Sequence, residues 1–253
     1  MLHLILALAP LFALEEPVPP PAQVKSAIAE LDKAFKDGGT PERLKAIQQG
    51  SQVLDAEVIG RIAKGLRDKE ADVGRAAIEA LRFMNHPEAT RALLDAAKRE
   101  PRLKKNLDLY ASLLRAIGQH GDASSIEVLT DDIWTTLEYP VLQARILGLG
   151  RIRTKASVEK LFDLMRSAGP YKIQPHMGLF RTSLMVLTGV DHGTSSEAWM
   201  KWWNQSRAKL EIEAKAAPLP KATQYAWDLY WGENRPMDRP EKRGERGRDD
   251  PEK

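Results

Sequence analysis

Between Asp72 and Met84 the chain reads DVGRAAIEALRFM. Its apolar residues Val73, Ala77, Ala80, Leu81 and Met84 share one face of a helix with 3.6 residues per turn. The Leu81/Met84 pair returns as Leu114/Ile117, Leu149/Ile152 and Leu184/Leu187, at steps of 33, 35 and 35 residues, and 34 residues back from Leu81 stands Ile47. A period in that range, built from helices alone, predicts an all-α array of helical repeats.

Outward from this stretch, helical stripes alternate with turn signals. Val24, Ile28, Leu31 and Phe35 form the first stripe, closed by Gly38-Gly39. Thr40-Pro41 reads as an N-cap followed by a first-turn proline. Val58, Ile62 and Leu66 lead into the Val73 helix, and His86-Pro87 opens the next one. Ile126, Leu129, Ile133 and Leu137 continue at helical spacing up to Pro140. Thr194-Ser-Ser-Glu197 reads as a capping box, with Thr194 accepting a backbone N–H. The helix it opens carries Trp199, Trp202 and Trp203, which suit a cap over the exposed end of a helix stack.

Composition narrows the function classes. With 38 basic and 35 acidic residues the net charge is +3, close to balance, and no nucleic acid partner is expected. The chain has no cysteine, which excludes disulfides and thiolate metal sites. The five histidines show no ligand spacing, so neither a metal nor a cofactor is expected. Residues 1–16 hold an apolar run from Leu2 to Leu14, too short to span a bilayer. It reads as an export signal with an n-region lacking Lys and Arg, or as an apolar arm packed on the first helix. No transmembrane helix is expected. Residues 211–232 read as a linker and a short aromatic helix, and residues 233–253, with seven basic and seven acidic side chains, as a disordered tail.

Val73-Gly74-Arg75-Ala76-Ala77-Ile78-Glu79-Ala80-Leu81 resembles the Val-Arg-x-Ala-Ala-x-x-Ala-Leu-Gly pattern of bacterial HEAT-like repeats, and Leu114-Arg115-Ala116-Ile117-Gly118 and Gly148-Leu149-Gly150-Arg151-Ile152 resemble its end. Leu187-Thr188-Gly189, Asp191-His192-Gly193 and Glu197-Ala198-Trp199-x-x-Trp202-Trp203 resemble the ending of a group of exported bacterial HEAT-repeat proteins. The resemblance covers residues 22–210. It implies a right-handed α-solenoid of about five HEAT-like helix pairs, with a Trp-rich capping helix, that binds other macromolecules.

In such a stack the second helix of each pair lines the concave face. Opposite the core on the Val73 helix stand Arg75, Glu79 and Arg82, read as a solvated stripe. That register gives Asp108, Ser112 and Arg115 next, then Gln143, Leu147 and Gly150, then Gly178, Thr182 and Met185. Leu147 and Met185 are unusual for a solvated face. They mark a candidate groove on the last two repeats, for a protein or peptide partner or for the chain's own Tyr225, Trp227 and Trp231. Asp191-His192 could form a catalytic pair, but its flanking glycines suit a tight turn better. The expectation is an exported, non-catalytic scaffold. The alternative is an enzyme on this scaffold, such as the DNA glycosylases or bilin lyases that resemble it, and no catalytic constellation speaks for that.

Overall fold

The computed structural model describes residues 18–233, so the expectations for residues 1–16 and for the tail from 234 onward lie outside the described residues. Within them the protein is all-α, with no strand. The helices are α1 (Pro21–Asp37), α2 (Thr40–Gly50), α3 (Ala56–Ile62), α4 (Ala71–Phe83), α5 (Pro87–Arg99), α6 (Pro101–Lys105) and α7 (Leu107–Gln119). They continue as α8 (Ile126–Thr130), α9 (Tyr139–Arg151), α10 (Lys155–Ala168), α11 (Pro170–Ile173), α12 (Met177–Thr188), α13 (Ser196–Ser206) and α14 (Lys221–Trp231). No described helix is long and apolar enough to cross a membrane.

Two rows result. In the inner row α2 packs on α4, α4 on α7, α7 on α9 and α9 on α12. In the outer row α1 packs on α3, α3 on α5, α5 on α8, α8 on α10 and α10 on α13. The 3.6-residue stripes meet between the rows. Leu81, Leu114, Leu149 and Leu184 are fully buried and Ile47 is 1% exposed, each such side chain being worth about 1.5–3 kcal/mol of transfer free energy. Between α7 and α9 the backbones approach closely: a Cβ on Gly118 would lie 2.7 Å from the Gly148 Cα.

Side-chain caps set several of the helix starts. His86 Nδ1 accepts from the Glu88 N–H at 3.1 Å, Asn106 from Leu109 at 3.2 Å and Thr154 from Ser157 at 3.2 Å. Two caps differ from the sequence reading. Gly39, not Thr40, precedes α2, and the hydroxyl that accepts at the start of α13 is that of Ser195, bonded to the Ala198 N–H at 3.2 Å, not that of Thr194. In both places several neighbours could cap, and spacing alone does not choose among them.

The helix expected through Leu137 stops at Thr130, and Asp132 takes a left-handed φ of 44°. The reason is a buried cation. Arg145 of α9 donates to the carbonyls of Val128 (3.0 Å) and Leu129 (3.1 Å), the acceptors that continued helix would need. Its other nitrogen donates to the Tyr110 hydroxyl at 2.9 Å. Burial lowers the guanidinium pKa of Arg145.

Candidate functional site

Residues 207–220 carry no helix and lead from α13 back along the inner row to α14. Arg153, just after α9, fixes this return path. It donates to the carbonyls of Glu213 (2.6 Å from Nη2), Lys215 (3.0 Å) and Val186 (2.7 Å). Pro218 and Pro220 end the extended run, and α14 begins beyond them. Gln224 accepts from the Leu219 N–H at 3.4 Å and donates to Asp228 at 2.7 Å, tying the helix start to its own later turn.

On α14, Trp227, Tyr230 and Trp231 share a face at the i, i+3, i+4 spacing, and Trp231 is fully buried. Tyr225 and Leu229 point outward, 52% and 67% exposed. The helix ends at Gly232, whose φ of 71° is the left-handed cap that glycine takes without strain. A helix leaves its last four carbonyls without partners of its own. Here Glu233 N–H bonds Asp228 O at 2.8 Å and Gly232 N–H bonds Leu229 O at 3.3 Å. The remaining two go to the inner row: Arg115 donates to Tyr230 O, and Arg82 donates to Trp231 O at 2.8 Å.

Three guanidinium groups thus stand in a row on α4, α7 and α9. Arg82 also bonds Glu79 (3.1 Å) and Gln119 (3.3 Å) and lies over the Phe83 ring, 4.6 Å from its centroid. Arg115 lies 4.8 Å from the Tyr230 centroid and Arg151 5.2 Å from that of Trp231. Arg151 also pairs with Glu233. Burial, and then the Arg115 charge, lower the pKa of Arg82, while burial pushes the Tyr230 phenol up to about 12. Two cations are therefore held close together, and α14 brings them the electron-rich end of a helix.

Of the residues singled out in the sequence, Arg75 and Arg115 come together with Asp108, Ser112, Gln143 and Tyr230 around a concavity of about 300 Å³. Glu79 lies with Leu44, Ala76, Ala80 and Phe83 on a second one of about 390 Å³. Arg82 is not part of a solvated stripe: it is 3% exposed, because a segment 149 residues away covers it. Leu147 and Met185 are buried as well, so they form no bare groove on the last repeats. The contacts of α14 fall on α4, α7 and α9, one repeat nearer the N-terminus than the sequence register placed the groove. Trp227 and Trp231 are buried there and Tyr225 is exposed.

Trp199, Trp202 and Trp203 gather against the end of the outer row. Trp203 stacks on Phe162 at 4.7 Å, and the Trp199 ring N–H donates to Gly193 O at 2.9 Å. His192 meets the Trp199 edge at 4.9 Å. Arg181 binds the Asp191 carboxylate at 2.7 and 2.5 Å and holds its pKa down to about 2. The two side chains thus serve the turn and the cap. Among the described residues no group of three or more His, Asp or Glu could hold a metal ion.

Sequence reasoning missed Arg145, Arg151, Arg153 and Tyr230. One signal was present: Arg82, Arg115 and Arg151 recur at nearly the repeat period. A scan against protein-family models and a search of curated proteins found no match to this chain.

Proposed function

We propose that the chain is a non-catalytic scaffold of the cell envelope, a right-handed α-solenoid of about five HEAT-like helix pairs whose concave face binds a protein or peptide partner. The observation that carries this reading is that the inner row already holds a peptide segment, through main-chain carbonyls and buried aromatic rings. Buried anchors on one face are the means by which a helix is gripped in a groove, and the carbonyl contacts add to them. Arg75 and Glu79, exposed on the same face, flank the two concavities beside that segment and supply a polar rim.

A photo-crosslinking amino acid placed at Glu79 or Ser112 on the inner row, and at Glu159 on α10 as the outer control, tests this in the native host. A discrete crosslinked product from the inner positions and none from Glu159 is expected. Equal labelling from both faces, or none from the inner face, would defeat the proposal.

A further inference from the structure

The grip on α14 has a property that fixes the kind of partner. The hydrogen bonds that Arg82 and Arg115 donate to α14 go to main-chain oxygens, the two carbonyls Trp231 O and Tyr230 O that its glycine cap leaves free. Such carbonyls exist only in the last turn of a helix, so the arrangement recognises a helix end and not a helix flank. Three further contacts add chemistry to that end. The Trp231 ring reaches the backbone of Gly118, where a Cβ would come within 3.1 Å of the ring. Arg115 and Arg151 lie over the Tyr230 and Trp231 rings, and Arg151 takes the acidic residue just beyond the cap.

This hold is made by long side chains. The Trp231 ring N–H is buried with no acceptor among the described residues, so the pocket they form is not matched atom for atom to this occupant. Charge is unmatched as well. Arg75 pairs with no acid among the described residues, and Arg115 spends its contacts on a carbonyl and a ring. An acidic incoming helix end would meet complementary charge there.

Resting on the concave-face reading above, we propose that the Arg82–Arg115–Arg151 row is a receptor for the aromatic, acidic C-terminal turn of an α-helix. Helix α14 is its resident occupant, and the partner presents a helix end of the same kind in another protein. Joined by residues 207–220, α14 competes at an effective concentration on the order of millimolar. The partner therefore binds weakly to the closed form and strongly once α14 is released.

The test uses the full chain and a labelled peptide with the sequence of residues 221–233, its C-terminus amidated, followed by fluorescence anisotropy. Trp231→Ala releases α14, and Trp227→Ala provides a second route to the same state. Circular dichroism must show each variant retaining its helical content, and the variant that does so is used. The peptide is expected to bind the released variant at least tenfold more tightly than the wild-type chain. Adding Arg82→Gln and Arg115→Gln should abolish that gain, and a peptide lacking its last two residues, which loses the Gly232 cap and the Glu233 carboxylate but keeps both carbonyls, should reduce it.

Equal affinity for wild-type and released chains would overturn the proposal. So would a gain that survives loss of the two arginines, because carbonyls would then not be the feature read. A wild-type dimer that Trp231→Ala dissociates would make a second copy's α14 the occupant, and would also overturn it. Failure here is separable from failure of the broader reading. A partner crosslinked at Glu79 that the peptide cannot displace would leave the concave face as a binding face and remove only the helix-end receptor.

Discussion

Two short tryptophan-bearing helices, α13 and α14, close over the same stack by opposite means. Helix α13 covers the end of the outer row with apolar surface. Trp199 is fully buried, Trp203 stacks on Phe162, and the Trp199 ring N–H has its acceptor. Helix α14 lies on the inner row and is held by cations that take its last carbonyls, while the buried Trp231 ring N–H has no acceptor among the described residues. Apolar burial makes a permanent part of a core. Contacts between guanidinium groups and main-chain oxygens, each group readily solvated by water, make a contact that can be exchanged. The same residue type, tryptophan, is a cap in one place and an anchor in the other.

Breaking each anchor in turn measures that difference. Trp199→Ala should cost about 3–5 kcal/mol in global stability, as for a large aromatic removed from a core, read as a shift of the urea midpoint. A loss as small as that of an exposed site would show α13 to be no more integral than α14. Trp231→Ala removes an equally buried ring, but its cost is limited to the docking free energy of α14, in the common range of about 0.5–3 kcal/mol. Amide exchange should become fast across residues 221–231 and stay slow in α4 and α7. If the two substitutions cost the same and melt the same amides, the two helices are one cooperative unit. Gly232→Ala should cost less again, about 1 kcal/mol for a side chain at a left-handed φ. Its Cβ would meet the Phe83 ring at an ordinary 3.7 Å, so the cost is conformational and should appear in α14 docking alone.

The contrast also explains what could be read in advance. The Leu81, Leu114, Leu149 and Leu184 column was legible because helical periodicity is local and every repeat restates it. The burial of Trp199 and Trp203 on α13 follows from large apolar rings at helical spacing, which is local as well. Arg82 was read as solvated because its own turn offers nothing to bury it, and its cover arrives from 149 residues away. Leu147 and Met185, expected on a bare face, are buried, because a register carried forward from one helix fixes spacing along the chain and not what packs on each face. Arg145 misled the reading of α8 in a different way. The run through Leu137 has perfect helical spacing, yet a cation on another helix takes the carbonyls the run would need. Period finds the column of buried leucines; contacts from distant parts of the chain leave no mark in the period.

The smallest expected effect lies in pH, and it divides the two helices once more. His120, the residue following α7, donates from Nε2 to the Leu81 carbonyl at 3.0 Å, at the turn of α4 that also carries Arg82. Burial lowers its pKa below the ordinary 6.5, although the Leu81 bond and the nearby Asp122 charge oppose that shift. With the folded-state value depressed, the unfolded chain binds more protons as pH falls, so stability is complete above about pH 6.5 and declines as the pH drops below it. The carboxylates whose folded values are lowered, Asp32, Asp122 and Asp191, act with the same sign only near and below the ordinary 3.8. A comparison at pH 7.5 and pH 5 therefore isolates the histidines. His176, also lowered by burial, adds to the slope, so His120→Gln should reduce the pH dependence without removing it. Glutamine can still donate to Leu81 O, which keeps the packing comparable at neutral pH. Amide protection, taken relative to the slower intrinsic exchange in acid, should fall on acidification in the last turn of α4 and in α14, and stay unchanged in α13. A uniform loss of protection in both tryptophan helices would mean that the arginine-held helix and the apolar helix share one opening, and that the release of α14 cannot be separated from unfolding.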